Sequence, residues 1–552
     1  MARRQGMPPT SSSSLSAPRI RLERPAAGRI RAQVTQAPFE NFGAARLDLR
    51  GLAGKDFAIP LRQLRTSRVI RGLPGCVSVK KGAFVTTLLW FRRDLRLSDH
   101  PALTAACKRG PVVPIFIRDA SVDRLGAAPK WRLGLSLEAL ASTLEDKGSR
   151  LILRSGKSSE VLTDLVQDTG ATRILCSRSY HPEIERRDFK LKDKFDAQGI
   201  EFEMHEGHVI SDPRSVETKS GGPYKVFSPY WKAVKGRDVG ANLKAPDKIP
   251  TPSQWTTSEN LNDWNLGQAM RCGAEVVRRY TDPGEAAAQA RLARFIDEDV
   301  AGYKDRRDFP ADDATSGLSE YLTYGEISPR QCWHAGQRAR HEGKPGAEAF
   351  LRELGWREFA YHLMVNMPRI LTDNWREEWD GFPWRDDERA AEIKAWKQAR
   401  TGIPLVDAGL REMYVTGRMH NRVRMIVASY LTKHLMTHWK VGLRWFEDCL
   451  TDWDPASNAM GWQWVAGSGP DAAPYFRVFN PVTQREKFDP RRAYVTRWIA
   501  EGQDDPPETA LAYFESIPRR WNMSPDDPYP EPVVRLDEGR QRALTAYENR
   551  GF

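Results

Sequence analysis

From Thr86 onward the chain alternates between short, continuously apolar runs and longer amphipathic stretches. β-Prone runs at Leu88–Phe91, Val112–Ile117, Leu151–Leu153 and Ile174–Cys176 are separated by stretches such as Trp131–Asp146 and Glu183–Ala197, whose apolar positions recur at helical spacing. Strands that are apolar throughout must be covered on both faces. The alternation therefore predicts a doubly wound parallel sheet, an α/β domain over residues 86–210. Residues 211–283, richer in Pro, Gly, Ser and Trp, predict an interdomain connector. After Pro283–Gly284 strand patterns nearly vanish and amphipathic helices run to the end, which predicts an all-α domain over residues 284–552. No internal repeat is present.

Composition refines this picture at its start. Residues 1–85 carry 16 Lys/Arg against 4 Asp/Glu, include the run Ser11 to Ser14, and lack sustained periodicity. They predict a mostly disordered extension or a spurious start, and their Arg-rich, acid-poor make-up also fits an organelle targeting segment. The net charge of +12 resides entirely here, so the remainder is neutral overall. Bulk charge is therefore no argument for nucleic acid, and a phosphate-binding patch would have to be local. No window approaches the roughly 20 apolar residues of a membrane span, so a soluble protein is expected. The six cysteines are scattered without CxxC spacing, which disfavours disulfide and cysteine–metal frameworks and fits a reducing cytoplasm.

Three stretches could carry chemistry. There is no GxGxxG, since Gly467-Ser468-Gly469-Pro470 lacks the third glycine, so a Rossmann dinucleotide site has no support. Thr315-Ser316-Gly317-Leu318-Ser319-Glu320 places hydroxyls at an expected helix N-cap and first turn, where free N–H groups suit a pyrophosphate. An ordinary helix cap reads the same way and is the simpler account of this segment alone. Over Arg418–Leu435, Val423, Ile426, Val427, Tyr430 and Leu431 form one buried stripe, leaving Arg418, Asn421, Arg422 and Met425 on the opposite face at about 100° per residue. That face fits a partner both flat and anionic. His434 and His438 are four residues apart but lack a third ligand, so no metal site is expected. The chain holds 18 tryptophans, and although core packing is the simplest account of any one of them, the cluster Trp462-Gln463-Trp464 in a polar, Gly-rich stretch suggests base stacking or a redox relay.

Leu89-Trp90-Phe91-Arg92-Arg93-Asp94-Leu95-Arg96 and the long stretch Asp452–Pro481 resemble the photolyase/cryptochrome family, nearest to its class I cyclobutane pyrimidine dimer photolyases. The likeness spans Thr86 to Phe552. It implies an N-terminal α/β antenna domain joined to a helical domain that holds FAD. Tyr303, Thr315, Ser316, Leu318 and Ser319 match residues that hold the FAD phosphates, which strengthens the phosphate reading of that segment. Arg424 and Asp452 match a pair flanking the flavin ring, Asp454 an aspartate near the ribityl chain, and Asn458 the residue facing flavin N5. A neutral amide there can accept a hydrogen bond from protonated N5 and so favours the reduced cofactor. Plant and insect cryptochromes usually have Asp or Cys at this position, so Asn458 points to repair, with a cryptochrome-type blue-light photoreceptor as the alternative.

In the lesion pocket, Glu353, Trp356, Asn421, Met425 and Trp464 match one carboxylic acid and the walls around a flipped-out dimer. Six-four photolyases resemble a different pattern with a histidine pair, whereas here His420 alone precedes Asn421. Arg307, Arg422 and Arg477 match cations near the DNA strand. Trp462, Trp439 and Trp384 match a chain that photoreduces the flavin; the spacing from Trp384 to Trp396 is longer than the family's usual one. The resemblance implies light-driven electron donation from reduced FAD to the dimer and return of the electron, hence a lyase. Folate-using members carry an Asn-Glu pair where this chain reads Tyr180-His181-Pro182-Glu183-Ile184-Glu185, which disfavours folate as a second antenna chromophore against a deazaflavin, another flavin or none. The expected partner is dimer-containing DNA, with no obligate protein partner, a monomeric state and a cytoplasmic, DNA-associated location.

Overall fold

The computed structural model describes residues 21–23, 31–33, 86–471 and 476–552. Two short strands, β1 (Arg21–Glu23) and β2 (Arg31–Gln33), pair antiparallel. The expectation of disorder for the rest of residues 1–85 lies outside the described residues.

Five strands follow: β3 (Thr87–Phe91), β4 (Val112–Arg118), β5 (Ile152–Ser155), β6 (Arg173–Ser177) and β7 (Glu201–His205). All pair in parallel, in the order β5-β4-β3-β6-β7. The alternation of side chains along β3 explains the double winding. Leu89 and Phe91 join Phe116, Leu133 and Leu137 beneath the Ala127–Asp146 helix. Leu88 and Trp90 face Ile115, Leu162 and Phe195 under the Ser158–Thr169 and Pro182–Ala197 helices. The four predicted strands are present to within a residue or two. The fifth, β7, went unread because Glu-Phe-Glu-Met-His has one fully buried side chain, Phe202, and charged neighbours typical of a sheet edge.

The stretch 211–283 is less passive than the expected connector. It forms the Phe227–Val234 and Gly273–Arg278 helices. Phe227, Tyr230 and Trp231 pack into a core of the helical part, while Ile249, Trp264 and Leu266 pack into the core beside the sheet. Beyond it, helices dominate as predicted. Pro329–His341 opens with a capping box between Ser328 and Gln331, and Pro455–Ala466 opens on Asp454, whose side chain accepts from Ser457 N–H. Residues 82–552 make one compact unit. No helix among the described residues is long and apolar enough to cross a membrane.

The predicted continuous helix over Arg418–Leu435 is in three pieces. Gly417, at φ +71°, ends the Pro404–Thr416 helix, and a new helix, Asn421–Ser429, starts after the His420 cap. Tyr430–His434 then widens into a π-helical turn. Val423, Ile426, Val427, Tyr430 and Leu431 are buried as expected. Arg418, however, lies before the helix and donates to the Tyr280 carbonyl instead of sharing its outer face.

Candidate cofactor and DNA site

The polar centre of the helical domain is Asp452. Its Oδ2 accepts from Arg424 Nη2 at 2.7 Å and from Ser319 Oγ at 2.8 Å, while Thr323 Oγ1 donates to its carbonyl at 3.2 Å. Arg424 is held in turn by the Met419 carbonyl, 2.7 Å from its Nε. Two expected cofactor groups, the Arg424–Asp452 pair and Ser319, are thus one cluster built from three separate stretches. Asp452 Oδ1 is buried and has no hydrogen-bond partner among the described residues. A buried carboxylate oxygen requires a donor, and a flavin nucleotide entering this cluster would bring one.

The segment Thr315-Ser316-Gly317 turns beside this cluster. The expected hydroxyl cap is absent, because the short Ser319–Tyr324 helix begins after Leu318 without a side-chain cap. Instead, Arg291 donates to the carbonyls of Ser316 at 2.8 Å and Thr315 at 2.7 Å. Gly317 sits at φ +63°, and a Cβ there would lie 2.8 Å from Arg291 Nε. With their carbonyls bound to Arg291, the two residues hold a bent loop. Tyr303 is buried nearby in sequence on the Tyr303–Arg306 helix, against Phe295 and Phe350.

Asp454 caps the Pro455–Ala466 helix and Asn458 lies in its first turn. Asn458 Nδ2 donates to the Asp454 carbonyl at 3.0 Å, which fixes the amide so that its oxygen remains the acceptor. That is the orientation an N5–H donor requires. Burial alone would raise the Asp454 carboxyl, but the Arg357 and Arg93 charges and the Tyr361 hydroxyl outweigh it and hold the group below the usual carboxylate range.

On the expected DNA side, the structure joins residues that sequence reasoning treated separately. Arg307 Nη1 lies 2.5 Å from Glu353 Oε1, with the guanidinium over the Tyr303 ring. Arg422 pairs with Asp308 at 2.7 Å and covers Phe488. Trp356 stacks on Phe227 at 3.7 Å, and Met425 and Trp464 are partly buried against the main helical core. Trp464 Nε1 donates to the Asp471 carbonyl, and Asn421 and Arg477 are exposed.

The tryptophans divide. Trp384 meets His438 at 5.3 Å and His438 meets Trp439 at 5.5 Å, so a histidine bridges the outer pair. The ring neighbours of Trp462 among the described residues are Phe446 at 4.9 Å and Trp396 at 6.4 Å. Its approach to the Trp439–Cys449 helix is at Gly442, where a Cβ would fall 2.0 Å from the indole. Sequence reasoning missed Arg291, Asp308 and His438, along with Asn374, which accepts from Trp439 Nε1 at 2.8 Å. It also missed the role of Gln463, which ties the Trp462 helix to the carbonyls of Ile370 and Asp373. Apart from His438, which adjoins Trp439 and which sequence spacing marks only as half of a histidine pair, each is a single polar residue whose partner lies far along the chain, so no local spacing marks it. His434 and His438 take no part in a metal cluster among the described residues.

A doubly wound sheet followed by a helical body with a polar cluster around a buried carboxylate describes a cofactor-binding protein of two-part, α/β-then-helical design. The chain belongs to the DNA photolyase family. Residues 87–252 match the DNA photolyase model and residues 350–549 the model of the FAD binding domain of DNA photolyase. It is 44% identical to a deoxyribodipyrimidine photo-lyase of Agrobacterium fabrum, over 83% of this chain and 97% of that one. Cryptochrome-2 of Arabidopsis thaliana is 32% identical over 82% of this chain and 77% of its own length. A crystal structure of a bacterial class III photolyase from Agrobacterium tumefaciens superposes with a TM-score of 0.78 at 42% identity, covering 86% of this chain and 99% of that one.

Proposed function

We propose that this chain is a light-driven deoxyribodipyrimidine photo-lyase that binds FAD in its helical domain and splits cyclobutane pyrimidine dimers in DNA. The observation that carries the reading is the Arg424–Asp452–Ser319 cluster, with one carboxylate oxygen that has no partner among the described residues, in the same chain as Asn458, whose amide oxygen is kept as acceptor. Bound FAD would supply light absorption and the electron donor. Tyr303, Thr315, Ser316, Leu318 and Ser319 would hold its phosphates, and Asp454 its ribityl side. Glu353 would hydrogen-bond the dimer, with Trp356, Asn421, Met425 and Trp464 as walls. Arg307, Arg422 and Arg477 would meet strand phosphates. Trp462, Trp439 and Trp384 would resupply electrons. Asn458 favours repair over a cryptochrome-type photoreceptor. We assign class III on the Agrobacterium tumefaciens likeness, in place of the class I expected from motifs.

The test is direct. Purified protein should show flavin absorbance and, once reduced and illuminated, convert dimer-containing oligonucleotides to monomers. Flavin-loaded protein that leaves dimers intact under light overturns the assignment.

A further inference from the structure

A hydrogen-bonded chain leads to Asp454 from the end of the sheet, and none of the roles above uses it. His208 lies three residues past β7, Tyr361 sits on the Ala347–Asn366 helix, and Asp454 caps the Pro455–Ala466 helix. The Tyr361 hydroxyl is 2.5 Å from Asp454 Oδ2 and 2.7 Å from His208 Nε2. The proton positions follow by elimination. Asp454 Oδ1 already accepts from Ser457 N–H at 2.8 Å. The carboxyl is held below the usual range, burial being outweighed by Arg357, Arg93 and Tyr361. An ionised carboxylate only accepts, so Tyr361 donates to it. The Tyr361 oxygen then accepts from His208 Nε2, which carries the ring N–H, and His208 Nδ1 remains the acceptor. His208 is partly exposed, whereas Tyr361 and Asp454 are 3% and 7% exposed. Every link therefore points inward, from a residue at a partly exposed position to a buried carboxylate.

We propose that His208, Tyr361 and Asp454 form a proton-delivery path into the cofactor cavity. A proton from water binds His208 Nδ1, the Nε2 proton passes to the Tyr361 oxygen, and the Tyr361 proton passes to Asp454 Oδ2. Each transfer forms one N–H or O–H bond and breaks another. The net result is one solvent proton on Asp454, with no electrons moved. Because Asp454 shares a helical turn with Asn458, its neutralisation offsets negative charge arriving in the cavity. The proposal rests on reading that cavity as the flavin site.

The charged and titratable groups facing the path come from three elements. Arg357 lies over the Tyr361 ring at 4.9 Å and donates to the His208 carbonyl at 2.9 Å. Arg93 donates to the Trp453 carbonyl at 2.8 Å, and Arg96 reaches the carbonyl of Gly207 at 3.1 Å. Glu358 is next to Arg357, and His181 feels Asp454 from the start of the Pro182–Ala197 helix. Burial, then Arg357 and Arg93, push His208 down to about 3, so its imidazole is neutral at neutral pH and Nδ1 stays open.

The test uses the full chain with its flavin oxidised, flashed with blue light in unbuffered solution containing a pH-indicator dye. Tyr361→Phe keeps the ring and removes the link. It should slow light-induced proton uptake roughly a hundredfold while the flash-induced flavin bleach keeps its rate. In the dark, nitrogen NMR of His208 should report the Nε2–H tautomer. His208→Leu, at a partly exposed position, repeats the kinetic arm if Tyr361→Phe fails to fold. Unchanged uptake in these variants, or an Nδ1–H tautomer, overturns the path. A preparation that cannot be loaded with flavin overturns the cofactor reading and the path with it, and is recognised at once by its colourless spectrum.

Discussion

Glu353→Gln separates the two jobs assigned to the Arg307–Glu353 pair. The substitution keeps the side-chain shape and removes the charge facing Arg307 at 2.5 Å. Both partners are partly exposed, 22% for Arg307 and 33% for Glu353, so screening limits the pair to about 0.2–1 kcal/mol of fold stability. The melting temperature should therefore hold. On DNA, a guanidinium no longer held by a carboxylate is free for a phosphate, which adds up to about 0.7 to the logarithmic salt slope on a single strand. Binding to undamaged strands should stay level or tighten. The charge-assisted hydrogen bond proposed between Glu353 and the dimer, worth about 1.5–3 kcal/mol, should be weakened. Selectivity for dimer over undamaged DNA should fall roughly ten- to a hundredfold. Anisotropy titrations of dimer-containing and undamaged oligonucleotides at several salt concentrations give both terms. Equal loss of affinity for both oligonucleotides, with an unchanged salt slope, would refute the division of labour.

Three further outcomes are expected. Gly317→Ala forces a side chain into φ +63° and against Arg291 at 2.8 Å, so it should cost about 1–2 kcal/mol and lower the flavin-to-protein absorbance ratio. An unaltered melt and ratio would count against the loop's role. Arg132 is fully buried between Glu320 and Glu326, so Arg132→Met strands two carboxylates and should cost about 3–5 kcal/mol in urea unfolding. His434 is pushed down to about 4 by burial and then by Arg542, and is neutral in the fold. A depressed folded value means that its stabilisation is complete above the unfolded value of about 6.5 and drains away as pH falls towards 4. His434→Gln should therefore flatten the stability profile over that window by up to about 1.4 kcal/mol per pH unit, read from urea melts at each pH.

The sheet was legible because its strands are apolar throughout, as a doubly covered sheet demands, and β7 was lost because an edge strand with one buried side chain carries little of that signal. The helical domain was legible as a class but not in its breaks. Nothing in the spacing of Val423 to Leu431 announces a π-helical turn, which is decided by packing. At the site, motif likeness placed Arg424 with Asp452 and singled out Asn458. It could not pair Arg307 with Glu353 or Arg422 with Asp308, because those meetings depend on how distant helices dock. The turn at Gly317 was read as a cap because hydroxyls near a helix start usually are one, and Arg291, more than twenty residues earlier, changed its geometry.

The stretch that joins the two halves is sewn into each of them, through Phe227, Tyr230 and Trp231 on one side and Ile249, Trp264 and Leu266 on the other. Its exposed turn closes with Thr218 N–H on the Gly222 carbonyl and makes few other ties. A protease cut there should yield two pieces that travel as one particle through a sizing column and melt in a single step, so neither half is an independently separable module despite its own recognisable sequence.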